Sequence, residues 1–107
     1  MTAATKALRQ SAYIANAEGD LFTATQKTII DKCNSNAVLA GNVTLRIVQA
    51  GGTPADDHRQ AYKAFNINDS YSWPEIVNQT LEVGDKIRGV CTVASAVTLR
   101  LSGREIT

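Results

Sequence analysis

The chain has 107 residues, of which 44% are hydrophobic and 20% charged, so it has the length of one domain and enough apolar residues to bury a core. Its formal net charge of +1 argues against a dedicated nucleic-acid-binding protein, because such proteins carry a basic excess. No apolar run reaches the roughly 20 residues that cross a bilayer, and the first residues show no basic segment followed by an apolar one, so neither a membrane span nor a signal peptide is expected.

The first twenty residues are compatible with two structures. Ala4, Ala7, Leu8 and residues 12–15 allow a short amphipathic helix, whereas the same stretch also fits an extended arm. Terminal segments are often disordered unless they dock onto the domain. We therefore expect an arm or short helix over residues 1–20, with the arm favoured, and a single domain over residues 21–107.

The remainder of the chain is rich in residues that favour strands. Val, Ile and Thr together account for 27 of the 107 residues, and these β-branched types fit a pleated, half-buried surface. Turn signals recur about every 8–12 residues, which is typical of an all-β sandwich or barrel. Asn34-Ser35-Asn36, Ala40-Gly41-Asn42 and Asn68-Asp69-Ser70 are predicted as turns. The predicted strands are residues 21–24, 28–33, 43–48, 61–67, 75–81, 86–94 and 97–101.

Three of these strands alternate between apolar and polar residues, as half-buried antiparallel strands do. No strand-helix-strand rhythm and no internal repeat accompanies them. The sequence therefore predicts an antiparallel β-sandwich of about seven or eight short strands. The residues predicted to face the core are Val43, Leu45 and Ile47, then Ile87, Gly89, Cys91 and Val93, and finally Val97, Leu99 and Leu101.

Motifs of catalysis are missing from the sequence. It contains neither a phosphate-binding Gly-rich loop nor a Gly-x-Ser-x-Gly motif. His58, beside Asp56 and Asp57, raises the possibility of a metal site or a general base. Neighbouring residues point in different directions, however, and a metal-binding barrel of the cupin type needs several histidines, so a solvated loop is favoured. No catalytic, metal or cofactor-binding residue is predicted, and we expect the protein not to be an enzyme.

Cys33 and Cys91 are the two cysteines of the chain, and they lie on different predicted strands. Their separation is too long for a Cys-x-x-Cys redox motif or a zinc ribbon. Three states stay open: two reduced core thiols, a disulfide within the chain, and a disulfide between subunits. A bridge within the chain requires Cα atoms within about 7 Å of each other.

Two groups of residues are candidates for a partner interface. Arg46, Arg88 and Arg100 fall on the outward faces of three predicted strands and would form a basic stripe if those strands lay in one sheet. Such a stripe is either a solvated sheet face or a contact for acidic residues of a partner. Tyr71 and Trp73, next to Pro74, are either interface anchors or a cap over one end of the core.

Three short segments resemble a family, the small virion proteins of tailed bacteriophages. Leu21-Phe22-Thr23-Ala24 is similar to the Leu-Tyr-Thr-Ala start of many of these proteins. Residues 81–87, Leu-Glu-Val-Gly-Asp-Lys-Ile, resemble their Leu-x-x-Gly-Asp-x-Ile turn. Ser102-Gly103-Arg104-Glu105 resembles their closing Ser-Gly-x-Glu. The resemblance extends over most of the chain, from about residue 21 to residue 105.

This resemblance implies a jelly-roll-like sandwich that acts as a structural subunit of the phage particle, assembled in the host cytoplasm and located in the virion. It implies contacts with capsid, neck or tail subunits, many copies in a homo-oligomeric arrangement, and no cofactor, nucleic-acid or membrane partner. Capsid decoration is the favoured position, and a neck, collar, tail or fibre component is the alternative. A receptor- or carbohydrate-binding module, with Tyr71 and Trp73 lining a shallow site, is a further hypothesis.

Overall fold

The computed structural model describes residues 3–51 and 59–106, and these residues form nine β-strands. The expected all-β class is confirmed, whereas Asp56, Asp57 and His58 lie outside the described residues. The strands are β1 Ala3–Tyr13, β2 Gly19–Thr23, β3 Lys27–Asn36, β4 Gly41–Val48, β5 Arg59–Phe65, β6 Ser70–Ser72, β7 Thr80–Leu81, β8 Lys86–Cys91 and β9 Thr98–Ile106.

The strands pair in a nested order, in which strands from the start of the chain pair with strands from its end and later strands pair with strands closer to the middle. β1 pairs with β9, β2 with β8, β3 with β6 and β4 with β5, all antiparallel. Two further pairings, β3 with β9 and β4 with β8, join these strand pairs into two sheets. Their strand orders are β1-β9-β3-β6, with the short β7 also on β3, and β2-β8-β4-β5. This arrangement is that of a jelly roll, which the resemblance had implied.

The core lies between the two sheets, and most of the predicted inward-facing residues are buried there. The alternation in β8 and β9 is confirmed, because Ile87, Cys91, Leu99 and Leu101 are all fully buried. Val93 is an exception, since β8 ends at Cys91 and leaves Val93 exposed in the following turn. In β4 the burial passes from Ile47 to Val48, next to the irregular pairing of Arg46 with β5, and Ile47 is only partly buried.

The N-terminal segment differs from the short helix that its alanines allow. Residues 3–13 form β1, which is hydrogen-bonded along β9 and belongs to the first sheet, and Ile14 follows it into the core. Pairing with β9 and packing of Leu8 against the core decide the structure here, because tertiary contacts outweigh the modest helix preference of alanine. The first sheet therefore includes a strand from the N-terminal segment, which the sequence analysis had separated from the domain over residues 21–107.

One turn prediction and one strand prediction also need correction. Asn34-Ser35-Asn36 continues β3 instead of forming a turn, because Ser35 faces the core and is buried there. Residues 75–78, predicted as strand, form a turn after Pro74, in which the carbonyl of Trp73 accepts hydrogen bonds from the amides of Ile76 and Val77, both at 3.1 Å. Only Thr80–Leu81 of that predicted strand pairs with β3.

The Gly-Asp turn before β8 has a clear structural reason. Gly84 adopts a φ of 90°, which favours glycine, and its amide donates to the carbonyl of Ala24 at 2.8 Å. The Asp85 carboxylate accepts hydrogen bonds from the amides of Glu82, at 3.0 Å, and Ala50, at 3.2 Å. The motif therefore ties three connections together at one end of the sandwich.

Candidate interaction surfaces

Trp73, expected as either an anchor or a cap, lies in the core. Its side chain is fully buried, and its indole Nε1 donates a 2.8 Å hydrogen bond to the Ser35 hydroxyl. The ring packs against those of Phe65 and Tyr71, with centroids 5.9 and 5.1 Å away. Trp73 therefore offers no side-chain surface to a partner, and it cannot line the shallow site that the sequence suggested for Tyr71 and Trp73.

Tyr71 lies beside Trp73 but is only partly buried. Its hydroxyl donates to the Glu75 carboxylate, 3.2 Å from the nearer oxygen, and the Lys63 ammonium lies 4.9 Å from its ring centroid. Burial and the negative charge of Glu75 raise the pKa of Tyr71. Tyr71 is thus held from both sides within the chain and covers one flank of the core.

The expected basic stripe does not form, because the three arginines are divided between the sheets. Arg46 and Arg88 lie opposite each other on β4 and β8, whereas Arg100 is exposed on β9 of the other sheet. The Glu18 carboxylate bridges the first two, with one oxygen 2.5 Å from Arg46 and the other 3.5 Å from Arg88. Asp20 adds a 3.1 Å contact to Arg88. The positive charge of this pair is therefore largely compensated within the chain.

Both cysteines are free and buried, Cys33 on β3 and Cys91 on β8 of the opposite sheet. Burial, and secondarily the negative charge of Glu75, raises the pKa of Cys33 from 9.0 to about 12. A disulfide to a second chain requires a sulfur at the surface, and neither sulfur is there. The structure thus corresponds to the first of the three expected states, two reduced core thiols.

The structure reveals an exposed apolar surface that the sequence analysis did not single out. The connections β1–β2, β3–β4, β5–β6 and β8–β9 meet at one end of the sandwich. Backbone hydrogen bonds link them: Ile14 N to Val97 O, Val38 N to Ala96 O and Asn68 N to Ala37 O, all 2.8–2.9 Å. Four side chains there are 40–60% exposed, and we call this set the apolar end: Val38, Leu39, Ile67 and Val93.

The apolar end is also nearly free of charge. Residues 37–40, 66–69 and 92–97 include no lysine or arginine, and their single acid, Asp69, accepts a 2.8 Å hydrogen bond from the amide of Asn66. The β1–β2 connection adds one acid, Glu18, which is paired with Arg46 and Arg88. Turns of globular proteins are usually polar, so Ala-Val-Leu-Ala at residues 37–40 and Val-Ala at 93–94 are unusual turn sequences. This apolar composition was the sequence signal that could have indicated the surface. Only the fold shows that these turns are neighbours.

A second surface feature is a hollow of about 380 Å³ between β3 and β6. Its exposed side chains come from Asn34 and Asn36 on β3 and from Ser70 and Ser72 on β6, and we call this set the outer hollow. The pairs Asn34–Ser72 and Asn36–Ser70 lie directly opposite each other in the strand register. The hollow is therefore on the outer face of the first sheet, not in the core.

Within residues 3–51 and 59–106, no three His, Cys, Asp or Glu side chains are grouped so as to hold a metal ion. The same residues include no helix that is long and apolar enough to cross a membrane. Comparison with protein-family models, curated proteins and solved structures finds no match to this chain.

Proposed function

We propose that this chain is a non-enzymatic structural subunit of a tailed-phage particle, and that it attaches to neighbouring virion proteins through its apolar end. The jelly roll supports this proposal only in part, because the fold is used by capsid proteins, lectins and cupins alike. The observation that carries it is the apolar end itself. Its four exposed aliphatic side chains lie on connections that are hydrogen-bonded to one another, and they form a surface suited to a weak contact with a partner.

The size of the apolar end favours a repeated, individually weak contact. Four partly exposed side chains amount to a few hundred Å² at most, well below the roughly 800 Å² per partner of a standard stable interface. Such a contact gains strength when many copies bind one assembled lattice, since linked contacts act together. This supports capsid decoration, where copies are numerous, over a single isolated complex.

The β1 edge of the first sheet is a poorer contact than the apolar end. β1 pairs regularly with β9 only up to Ala7, and register shifts follow on both sides of Arg9. The Arg9 guanidinium donates to the carbonyls of Leu99 and Ala12 across this irregular part. Irregular, charged edges resist the addition of another strand, so β1 is protected rather than prepared for strand exchange.

Mass spectrometry of purified particles from cells that produce the chain tests the proposal. Hundreds of copies per particle would place it on the shell, and roughly a dozen would place it in the neck or tail. Its absence from the particles would refute the proposal.

Two single variants test the surface that makes the contact. Leu39→Asp introduces a charge into the apolar end and is expected to prevent incorporation, because the contact would bury an unpaired carboxylate. Val83→Asp is the matched control, since Val83 is 63% exposed in the β7–β8 turn at the opposite end. Both side chains are exposed, so both variants should fold. Equal incorporation of the two would show that the apolar end is not the contact.

A further inference from the structure

The outer hollow belongs to a row of side chains that crosses all four positions of the first sheet. Ser70, Asn36, Thr98 and Tyr13 follow one another across β6, β3, β9 and β1, through the pairings of Asn36 with Ser70 and of Tyr13 with Thr98. The Thr98 hydroxyl lies 3.3 Å from both the amide nitrogen and the carbonyl oxygen of Asn36, which fixes the middle of the row. Residues opposite each other in an antiparallel sheet point to the same face, here the outer one.

A second row runs beside the first, two residues further along each strand. Ser72 on β6, Asn34 on β3 and Arg100 on β9 follow one another in register. The Ser72 hydroxyl donates to the Asn34 amide oxygen at 2.9 Å, which orients that amide and leaves its two N–H donors directed elsewhere. The two rows are about 6.8 Å apart, and neighbouring strands are about 4.8 Å apart. The surface between the two rows is therefore comparable in width to a sugar ring.

The side chains that line the hollow are uncharged and can both donate and accept hydrogen bonds, and Arg100, opposite Asn34 on β9, is the one charged group of the two rows. Amide and hydroxyl groups both donate and accept hydrogen bonds, whereas a site for phosphate or carboxylate presents cationic donors. The side chains of Asn36 and Ser70 make no hydrogen bond to any part of the chain that the structure describes. They are held on paired strands, so a ligand would meet groups that are already in place.

An aromatic ring stands at the end of the first row. Tyr13 is 48% exposed, two strand spacings from Asn36, which is about 10 Å. Aromatic rings present a large apolar face with little conformational freedom, and the C–H face of a sugar ring packs on such a surface. Arg100, exposed on β9 beside Asn34, adds hydrogen-bond donors at the end of the second row.

We infer that the outer hollow binds a neutral carbohydrate of two or three sugar units, with Asn34, Asn36 and Ser70 bonding its hydroxyls and Tyr13 packing on the next ring. This activity is independent of the apolar end, because the two surfaces are formed by different side chains. The sugar site is formed by short polar side chains on the outer face of the first sheet, whereas the Trp73 side chain is buried in the core. Shallow sites of this kind bind weakly, with dissociation constants in the millimolar range.

Nuclear magnetic resonance of the ¹⁵N-labelled protein tests this inference, with maltose, cellobiose and lactose added to millimolar concentrations and a glycan array alongside. We expect shifts of the amide signals of residues 34–36 and 70–72 and of Tyr13 with at least one glycan. An absence of binding by all three disaccharides and by the neutral glycans of the array would overturn the inference, and so would shifts confined to other surfaces.

The double variant Asn36→Ala/Ser70→Ala removes two hydrogen-bonding groups without touching the core, and binding should weaken roughly tenfold. Gln49→Ala is the control, because it removes an exposed amide directly after β4, in the other sheet. This variant should bind sugar as the unaltered chain does. Unchanged binding by the double variant would refute the assignment of the site. Leu39→Asp should retain sugar binding, so that failure of the sugar site and failure of the apolar end are distinguishable.

Discussion

The hydrogen bond between Trp73 and Ser35 gives the sharpest test of where the single tryptophan lies. If the indole is buried, its N–H depends on the Ser35 hydroxyl, which the structure places 2.8 Å away. We consider three variants that dissect this contact: Ser35→Ala, Trp73→Phe and the double variant. A tryptophan that served as a surface anchor would be indifferent to all changes at residue 35.

The expected energies follow from burial. Ser35→Ala leaves a buried N–H donor without an acceptor, which costs about 1–3 kcal/mol. Trp73→Phe removes the donor and also part of a fully buried ring that packs on Phe65 and Tyr71, and should cost about 2–4 kcal/mol. In the double variant no donor remains to be stranded. Its destabilisation should therefore fall short of the sum of the single effects by about 1–2 kcal/mol.

Urea unfolding, followed by circular dichroism, measures all four free energies. A small domain has only about 5–15 kcal/mol of stability, so each change is a large fraction of the total and shifts the midpoint clearly. Ser11→Ala, at an exposed position of β1, is the control and should change stability by less than about 0.5 kcal/mol. Strict additivity of the two single variants, or a negligible effect of Trp73→Phe, would refute the buried hydrogen bond.

Three further predictions concern buried residues. Gly103→Ala should destabilise the fold by about 3 kcal/mol, because its methyl group would overlap the carbonyl oxygen of Ile29 on the neighbouring strand. Thermal unfolding measures this destabilisation. Gly19→Ala is the control and should be neutral, because no heavy atom lies closer than 3.8 Å to the added methyl group. Cys33 and Cys91 should resist alkylation in the folded protein and react after unfolding, and rapid labelling of the native state would contradict their burial. Because the pKa of Cys33 is raised from 9.0 to about 12, its contribution to stability is present below pH 9 and is lost as the pH rises through 12; Cys33→Ala should reduce that alkaline loss.

The sequence predicts the central strands well and the edges poorly. β8 and β9 are flanked on both sides within their sheets, and one face of each lies in the core between the sheets. The alternation of Ile87, Cys91, Leu99 and Leu101 shows this burial directly. The segment that became β1 is rich in alanine, which has no strong preference between burial and exposure. Only the pairing with β9, about ninety residues away, decides its structure.

The candidate surfaces were harder to predict, because each depends on which strands become neighbours. Arg100 alternates in phase with outward residues, as expected, but its strand lies in the other sheet from β4 and β8. Trp73 follows the exposed Ser70 and Ser72 and precedes Pro74, which is the pattern of a surface loop, yet its indole donates a hydrogen bond to the buried Ser35 hydroxyl on β3. Periodicity identifies which face a residue occupies, whereas neighbours on that face are set by topology.

The composition of the turns at the apolar end calls for an explanation beyond the fold. Turn formation favours Gly, Pro, Asn, Asp and Ser. It therefore does not explain the aliphatic residues Val38, Leu39 and Val93 in these turns. Core packing does not require them either, since these side chains remain 40–48% exposed while the core beneath them is already filled by residues such as Ala96 and Val97. Exposed aliphatic groups in turns lower solubility without adding to the stability of the isolated domain. These turn residues therefore support the proposal that a partner contacts the apolar end.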